Sequence, residues 1–295
     1  MASASHQVKG RLNGSLRLSW SFCALCYNNE TSVISRRMVF SMTAQKISLV
    51  VPVYNESALL ERFLKAIDAL ELEVPKELVF INDCSSDRSG EILDQFKFRS
   101  EVQIIHQPKN RGKGAAVTLG IEKATGTWIG IQDADFEYSL DDIPALLVPL
   151  VKGQADVVFG SRFKKNAMQV HRTFHYMVNR FLTILSNMLS GIYLTDMETC
   201  YKFSRSEILK NIHFEAQRFG FEPEVTAKLA KLKLRIVELP ISYFPRSYIE
   251  GKKITWKDGV AAVRHIIYFN VFCSMKDSFK KTMPTEFIPA SRQWL

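Results

Sequence analysis

Two aspartates one residue apart, Asp133 and Asp135, close the apolar run "TWIGIQDAD", and Glu137 and Asp141 follow closely. Carboxylates crowded like this repel one another, so the segment either gathers around a cation or fans its charges out into water. A hard divalent ion, Mg²⁺ or Mn²⁺, is bound by carboxylate oxygens while diphosphate oxygens and water fill its other positions. Alone the Asp-x-Asp pattern is weak, since on the order of one chance match is expected in a chain of this length. A second cluster, Lys109, Arg111, Gly112, Lys113 and Gly114 in "PKNRGKGAAV", is a cationic, glycine-bearing turn at a helix start. Backbone N–H groups and the helix dipole there suit a phosphate, and a solvated basic loop is the plainer alternative. Neither a dinucleotide-binding glycine fingerprint nor a P-loop is present. Asp196 in "TDMETC" offers a general base, or else caps a helix or orients Arg162 or Lys202.

The elements around these clusters alternate. Apolar, β-branched runs predict strands at 47–53, 77–83, 102–107, 126–135 and 155–163, and helical periodicity predicts helices over 56–70, 85–96 and 112–124. Such alternation implies βαβ units and a mainly parallel sheet, whose ligands bind beyond the carboxyl ends of the strands. The polar clusters "PVYNE", "INDCSSD", "QDADFE" and "GSRF" all fall at strand ends and should converge on one edge. Beyond 163 the pattern predicts a long helix over 175–191, a helix near 222–232 and a strand over 235–244. No internal repeat or low-complexity linker interrupts it.

Charge is unevenly spread over the 295 residues. Residues 1–159 carry 17 Lys and Arg against 19 Asp and Glu, whereas 160–295 carry 22 against 11. A basic C-terminal half favours an anionic partner. Five scattered cysteines, including the isolated Cys23-x-x-Cys26 pair, support neither a zinc site nor a disulfide framework. The apolar stretch 259–275 is interrupted by Arg264 and His265 and is too short to span a bilayer. It reads as an amphipathic helix, lying on a membrane surface or packed on the domain. Residues 1–45 stand outside the alternating pattern. Their composition resembles that of a transit peptide, and a true start at Met42, which runs directly into the first strand, is the preferred account.

The segments "VVPVYNE", "INDCSSDRSGEIL", "NRGKGAAVTLGI" and "TGTWIGIQDADFEY" resemble the inverting glycosyltransferases of family 2, with a GT-A fold. "VFGSRF", "TDMETCYKFSRSEIL" and the stretch from Gly220 to Ile254 narrow the likeness to the dolichol-phosphate mannose synthase group and its bacterial polyprenyl-phosphate relatives. The resemblance spans roughly 46–262. It implies an α/β, Rossmann-like GT-A domain over 46–250, mostly parallel in its sheet, flanked by an N-terminal extension (1–45) and a C-terminal amphipathic segment (251–295). It places Pro52, Tyr54, Asn55, Glu56, Asp83, Lys113 and Asp133 at the donor, with Asp83 on the base. It assigns a Mg²⁺ or Mn²⁺ ion to Asp133, Asp135 and Glu137, a catalytic role to Asp135, Arg162 and Asp196, and phosphate binding to Arg246 and Lys253. The usual D-D-G-S of the family is Asn82-Asp83-Cys84-Ser85 here, which bears on base selection. The transmembrane pair of many bacterial relatives is missing, so the resemblance is to the soluble catalytic type.

The implied reaction moves a mannose- or glucose-type sugar from a UDP- or GDP-linked donor to a polyprenyl or dolichyl phosphate. A peripheral location on the cytoplasmic face of a membrane follows, reached directly or through a membrane subunit. A phosphate acceptor is already anionic at neutral pH and asks for cations rather than a base, and Arg162, Arg172, Arg246, Lys252 and Lys253 supply them. Two alternatives remain: a family 2 transferase acting on a glycan hydroxyl, and a non-catalytic protein that binds a nucleotide sugar or nucleic acid. No recognition helix or RNA-binding aromatic motif supports nucleic acid as a partner. A chain beginning at Met42 should fold and transfer sugar as the full chain does; loss of solubility or activity on that truncation would place residues 1–41 in the fold.

Overall fold

In a computed structural model of the chain, the described residues are 45–164, 173–218, 220–245 and 256–290. The chain divides into two units, Met1–Thr43 and Ala44–Leu295, and every described residue lies in the second. Arg172, Arg246, Lys252 and Lys253 lie outside the described residues.

Seven strands form one sheet: β1 (Ile47–Val53), β2 (Lys76–Asn82), β3 (Glu101–His106), β4 (Trp128–Ile131), β5 (Val157–Ser161), β6 (Lys202–Arg205) and β7 (Ile236–Pro240). Their order is β3-β2-β1-β4-β6-β5-β7. All pairings are parallel except those of β6, which runs antiparallel between β4 and β5. Central β1 is buried on both faces, as the unbroken apolar run "ISLVVPV" demands. Its Pro52 falls beyond the last β1–β4 pair, Val50 with Ile131, where a missing N–H disturbs least.

Helices α1 (Ser57–Ala69), α2 (Ser89–Gln95), α3 (Lys113–Lys123) and α4 (Ile143–Val151) connect the first five strands. In α1 the buried residues Leu60, Phe63, Leu64 and Ile67 form the i, i+3, i+4, i+7 stripe that faces the sheet. Beyond β5 come α5 (Thr173–Ser190), the single-turn α6 (Ser206–Leu209), α7 (Phe221–Leu229), α8 (Trp256–Ile267) and the short α9 (Met275–Ser278). A π-helical turn, Tyr268–Phe272, extends α8. Leu182 and Met197 pack with Ala262 and Ile266, so α5 and α8 share a small core of their own.

β6 is the element that strand periodicity does not reveal. It has four residues and carries the fully buried Lys202, whose ammonium is satisfied by the carbonyls of Met197 and Thr199 rather than by water. The expected strand over 126–135 stops at Ile131, and the chain then turns sharply so that its acidic residues leave the sheet.

Among the described residues that are not glycine, Asn55 (φ 52°), Cys84 (φ 57°) and Phe136 (φ 56°) adopt left-handed backbone conformations, the first two just after a strand end. A left-handed L-residue with a Cβ costs about 1 kcal/mol, a cost that asparagine tolerates best. Cys84→Gly should therefore raise the unfolding free energy by about 0.5–1 kcal/mol in urea titration; a loss of stability would show that the cysteine side chain contributes more than its backbone costs.

Candidate active site

The strand ends are fastened to one another before they offer anything to a ligand. After β1 and β2 the loops exchange hydrogen bonds. Ser86 N donates to Asn55 Oδ1 at 2.8 Å, Asn55 Nδ2 donates to Ser86 Oγ at 3.2 Å, and Glu56 N donates to Ser89 Oγ at 2.9 Å. Asp87 accepts from Ser57 N at 3.0 Å and Ser89 N at 2.9 Å, and these bonds outweigh partial burial to pull its carboxyl down to about 2. Pro52, Tyr54, Asn55 and Glu56 thus line a stiff loop at the strand-end edge, with Tyr54 exposed.

Asp83 is anchored within the protein. It is buried, and its Oδ1 accepts from Arg111 N (2.8 Å) and Gln107 Nε2 (2.9 Å), while its Oδ2 accepts from Gly112 N (2.7 Å). Its carboxylate pins the 107–112 loop. The phosphate cradle expected at the start of α3 differs. Gly114 N donates to Arg218 O at 3.2 Å and Ala115 N to Gln217 O at 3.0 Å, so the helix N-terminus is capped by the chain itself. A Cβ at Gly112 (φ 90°) would lie 2.5 Å from Gln217 O, and one at Gly114 2.3 Å from Ala216 O. These glycines serve a close approach of backbone to backbone.

Lys113 turns inward from that cap. Its Nζ sits 2.9 Å from Asp133 Oδ2 and 3.0 Å from Glu222 Oε1, joining the Asp-x-Asp loop to the start of α7. Burial opposes the ammonium charge, yet the surrounding groups, Asp133 foremost, hold it protonated well above the ordinary lysine range. Glu222 is buried too, and Lys113 and Lys202 hold its carboxyl below its usual value against that burial.

Asp133, Asp135 and Glu137 do not form one ligand set. Asp135 Oδ1 accepts from Glu137 N at 3.0 Å, a turn bond, and Glu137 Oε2 accepts from Tyr243 OH at 2.9 Å. Among the described residues no three His, Cys, Asp or Glu side chains are placed to hold a metal together. Asp133 thus meets Lys113, Asp135 its own turn and Glu137 the Tyr243 hydroxyl. Asp133 and Asp135 still suit Mg²⁺ or Mn²⁺ as a partial set, because such an ion keeps waters and phosphate oxygens and seldom sits in an all-protein cage.

Arg162 follows β5 and meets Asp196 in a fork: Nε to Oδ2 at 2.7 Å and Nη2 to Oδ1 at 2.7 Å, with Arg162 N to Oδ2 at 2.9 Å. Asp196 is wholly buried, and Thr195 and Asp196 backbone N–H groups are held by Glu238. Of the roles open to Asp196, the geometry is that of a partner orienting Arg162. The guanidinium lies 5.1 Å from the Tyr243 ring and 5.5 Å from that of Phe163. Tyr243 bridges back to Tyr138, and Phe244 N donates to Glu137 O at 2.7 Å. The chain that continues toward Arg246 and Lys253 therefore leaves the described residues beside Glu137, on the edge that the motifs share.

Two acidic residues join the site without having been singled out. Glu222 begins α7, and Glu198 lies between Asp196 and Cys200. Burial, then the charge of Glu222, pushes the Glu198 carboxyl up to about 7, and its Oε1 has no hydrogen-bond partner. An acid at the first turn of a predicted helix and a second acid in "TDMETC" were the available signals.

Residues 48–213 match the family model described as Glycosyl transferase family 2, and the chain belongs to that family. It is a glycosyltransferase. A relative described as a dolichyl-phosphate beta-glucosyltransferase (ALG5D) of Trichomonas vaginalis is 27% identical over 242 residues, covering 77% of this chain and 73% of the relative. A dolichol-phosphate mannosyltransferase of Pyrococcus furiosus is 25% identical over 224 residues, covering 75% and 62%. Among solved structures, the glucosyl-3-phosphoglycerate synthase of Mycobacterium tuberculosis, crystallised with Mn²⁺, UDP and glucosyl-3-phosphoglycerate, superposes with a TM-score of 0.57 at 19% identity, covering 76% and 78%. That likeness is one of fold, and it agrees with the GT-A architecture expected from the sequence.

The raised Glu198 carboxyl has a stability consequence. Its folded value lies above its unfolded one, so the native state holds the extra proton between about pH 4.5 and 7 and loses stability as pH rises through that window. Glu198→Gln, which cannot ionise, should match the wild type near pH 5 and exceed it at pH 8 by on the order of 2 kcal/mol. Unfolding curves at both pH values test this, and a difference that does not change with pH would contradict it.

Proposed function

We propose that the protein transfers a hexose, of mannose or glucose type, from a UDP- or GDP-linked donor to a polyprenyl or dolichyl phosphate at a membrane surface. The observation that carries this reading is the state of Asp196. The side chain best placed by sequence to be a base is buried and spent on Arg162, so the acceptor is best one that arrives already deprotonated, as a lipid phosphate does. The named acceptors of the relatives above support the same class.

Arg162, held rigid by Asp196 and two aromatic rings, would face the charge that moves between donor and acceptor. Arg246 and Lys253 would hold phosphate from the segment beyond Phe244. Asp133 and Asp135 would hold Mg²⁺ or Mn²⁺, which when bound neutralises charge on the departing nucleoside diphosphate. Tyr54, Asn55 and Glu56 would form the donor's floor, with Lys113 keeping Asp133 in place.

No helix among the described residues is long and apolar enough to cross a membrane. Helix α5 instead exposes Met177, Phe181, Ile184 and Met188, an i, i+4, i+7, i+11 stripe, and its neighbour exposes Val260, Val271 and Phe272. These faces support contact with a bilayer or a membrane subunit on the cytoplasmic side. A second reading, transfer to a glycan hydroxyl, draws on Glu198, whose carboxyl titrates where a general base works best.

The deciding experiment supplies purified protein with Mg²⁺ or Mn²⁺, a panel of UDP- and GDP-sugars, and either a polyprenyl phosphate or the matching polyprenol. Lipid-linked product should form from the phosphate alone; product from the alcohol would favour the second reading. Asp135→Ala and EDTA should each remove turnover while thermal unfolding stays unchanged, whereas full activity in EDTA would dismiss the metal. Lys253→Ala should raise the KM for polyprenyl phosphate about ten- to a hundredfold. It should leave hydrolysis of the donor alone intact, and an unaltered KM would remove Lys253 from the acceptor site.

A further inference from the structure

Three buried side-chain polar atoms among the described residues lack a hydrogen-bond partner: Ser186 Oγ, Glu198 Oε1 and Thr199 Oγ1. Two are consecutive and belong to the loop that also carries Asp196. Buried polar atoms are nearly always satisfied, so adjacent orphans call for a partner that the polypeptide does not supply. Oε1 of Glu198 is itself covered, but the residue as a whole is only partly buried, whereas Thr199 is fully covered, so Glu198 is the member of the pair whose carboxyl group a ligand can reach.

Its surroundings say what kind of ligand. Its charged neighbours include the Arg162–Asp196 fork and Glu222, which reaches Asp133 through Lys113 by contacts of 3.0 and 2.9 Å. Lys202 lies near but gives its hydrogen bonds to Met197 O and Thr199 O. A phosphate would meet repulsion from Glu198 and Glu222 together, and anionic groups have Arg162 available instead. A cation is not called for either, since among the described residues no third acidic, His or Cys side chain converges there and Lys113 already occupies Glu222. What suits a carboxyl between two ion pairs is a neutral group that both donates and accepts. The substrate of a glycosyltransferase carries such groups as the hydroxyls of the sugar.

We propose that Glu198 is a specificity-determining contact for the donor, its carboxyl hydrogen-bonding a hydroxyl of the sugar that is transferred. This rests on the nucleotide-sugar donor proposed above. The contact selects among sugars by the position of that hydroxyl, because a site built to bond a hydroxyl discriminates strongly against an analogue that lacks it. It leaves the nucleoside diphosphate to the other strand-end loops.

Calorimetric titration of the full chain tests it, using wild type, Glu198→Gln and Glu198→Ala with Mg²⁺ and UDP, GDP, UDP-glucose, UDP-galactose, GDP-mannose, and the monodeoxy analogues of whichever sugar binds best. Both variants should bind the free nucleotide as wild type does and the best nucleotide sugar about tenfold more weakly. One monodeoxy analogue should bind wild type and variants alike. Thermal melts establish folding, and Glu198→Gln, which keeps the shape of the side chain, stands in if Glu198→Ala does not fold. Equal losses for nucleotide and nucleotide sugar, or no loss for either, would overturn the assignment while leaving the proposed function intact. So would variants that bind every donor normally yet fail to turn over, a result that makes Glu198 a base. A wild-type protein that binds none of the nucleotide sugars would overturn the proposed function and this inference with it.

Discussion

One ammonium group joins the two halves of this site. Lys113 lies between Asp133, from the loop after β4, and Glu222, from the start of α7, with both oxygens at about 3 Å. Without it, Asp133, Glu198 and Glu222 would be mutually repelling carboxylates in a largely dry setting, and burial of such charge is tolerated only when it is paired. The capped start of α3 is what aims Lys113 there. Asp83 holds the approach and the 216–218 backbone closes the helix terminus, so the lysine has one direction in which to extend.

The same logic of pairing extends outward. Arg162 is fixed by Asp196, Asp196 by the loop that Glu238 holds, and Glu137 by Tyr243. The first two join segments of the second half of the chain to one another, and the third joins the loop after β4 to the segment after β7. Among the described residues of this edge, Glu198 keeps a buried carboxyl oxygen, Oε1, without a hydrogen-bond partner. Protein groups already set in position are what a transfer reaction needs, because they do not reorganise as charge moves.

Much of this was legible in the sequence. Strand and helix alternation located the strand-end clusters, and the carboxyl-edge rule brought Tyr54, Asp83, Asp133 and Arg162 to one side of the sheet. Roles were less legible than places. The glycine-bearing turn of "NRGKGA" reads as a phosphate cradle, yet it packs against backbone at 216–218 that lies far away in sequence, which no local pattern reveals. β6 escaped notice because its four residues carry a buried lysine whose partners are carbonyls of its own loop. The importance of Glu198 and Glu222 is hidden for a related reason, as it comes from packing beside charged groups of other elements.

The claim that Lys113 binds the two halves together is most directly tested by a double-mutant cycle between Lys113→Met and Glu222→Gln, read as the free energy of unfolding at pH 7. The account predicts that the two single changes sum to more than the double change costs, with a coupling of about 1–3 kcal/mol, because losing either partner strands the other's charge. Two effects that simply add would contradict it.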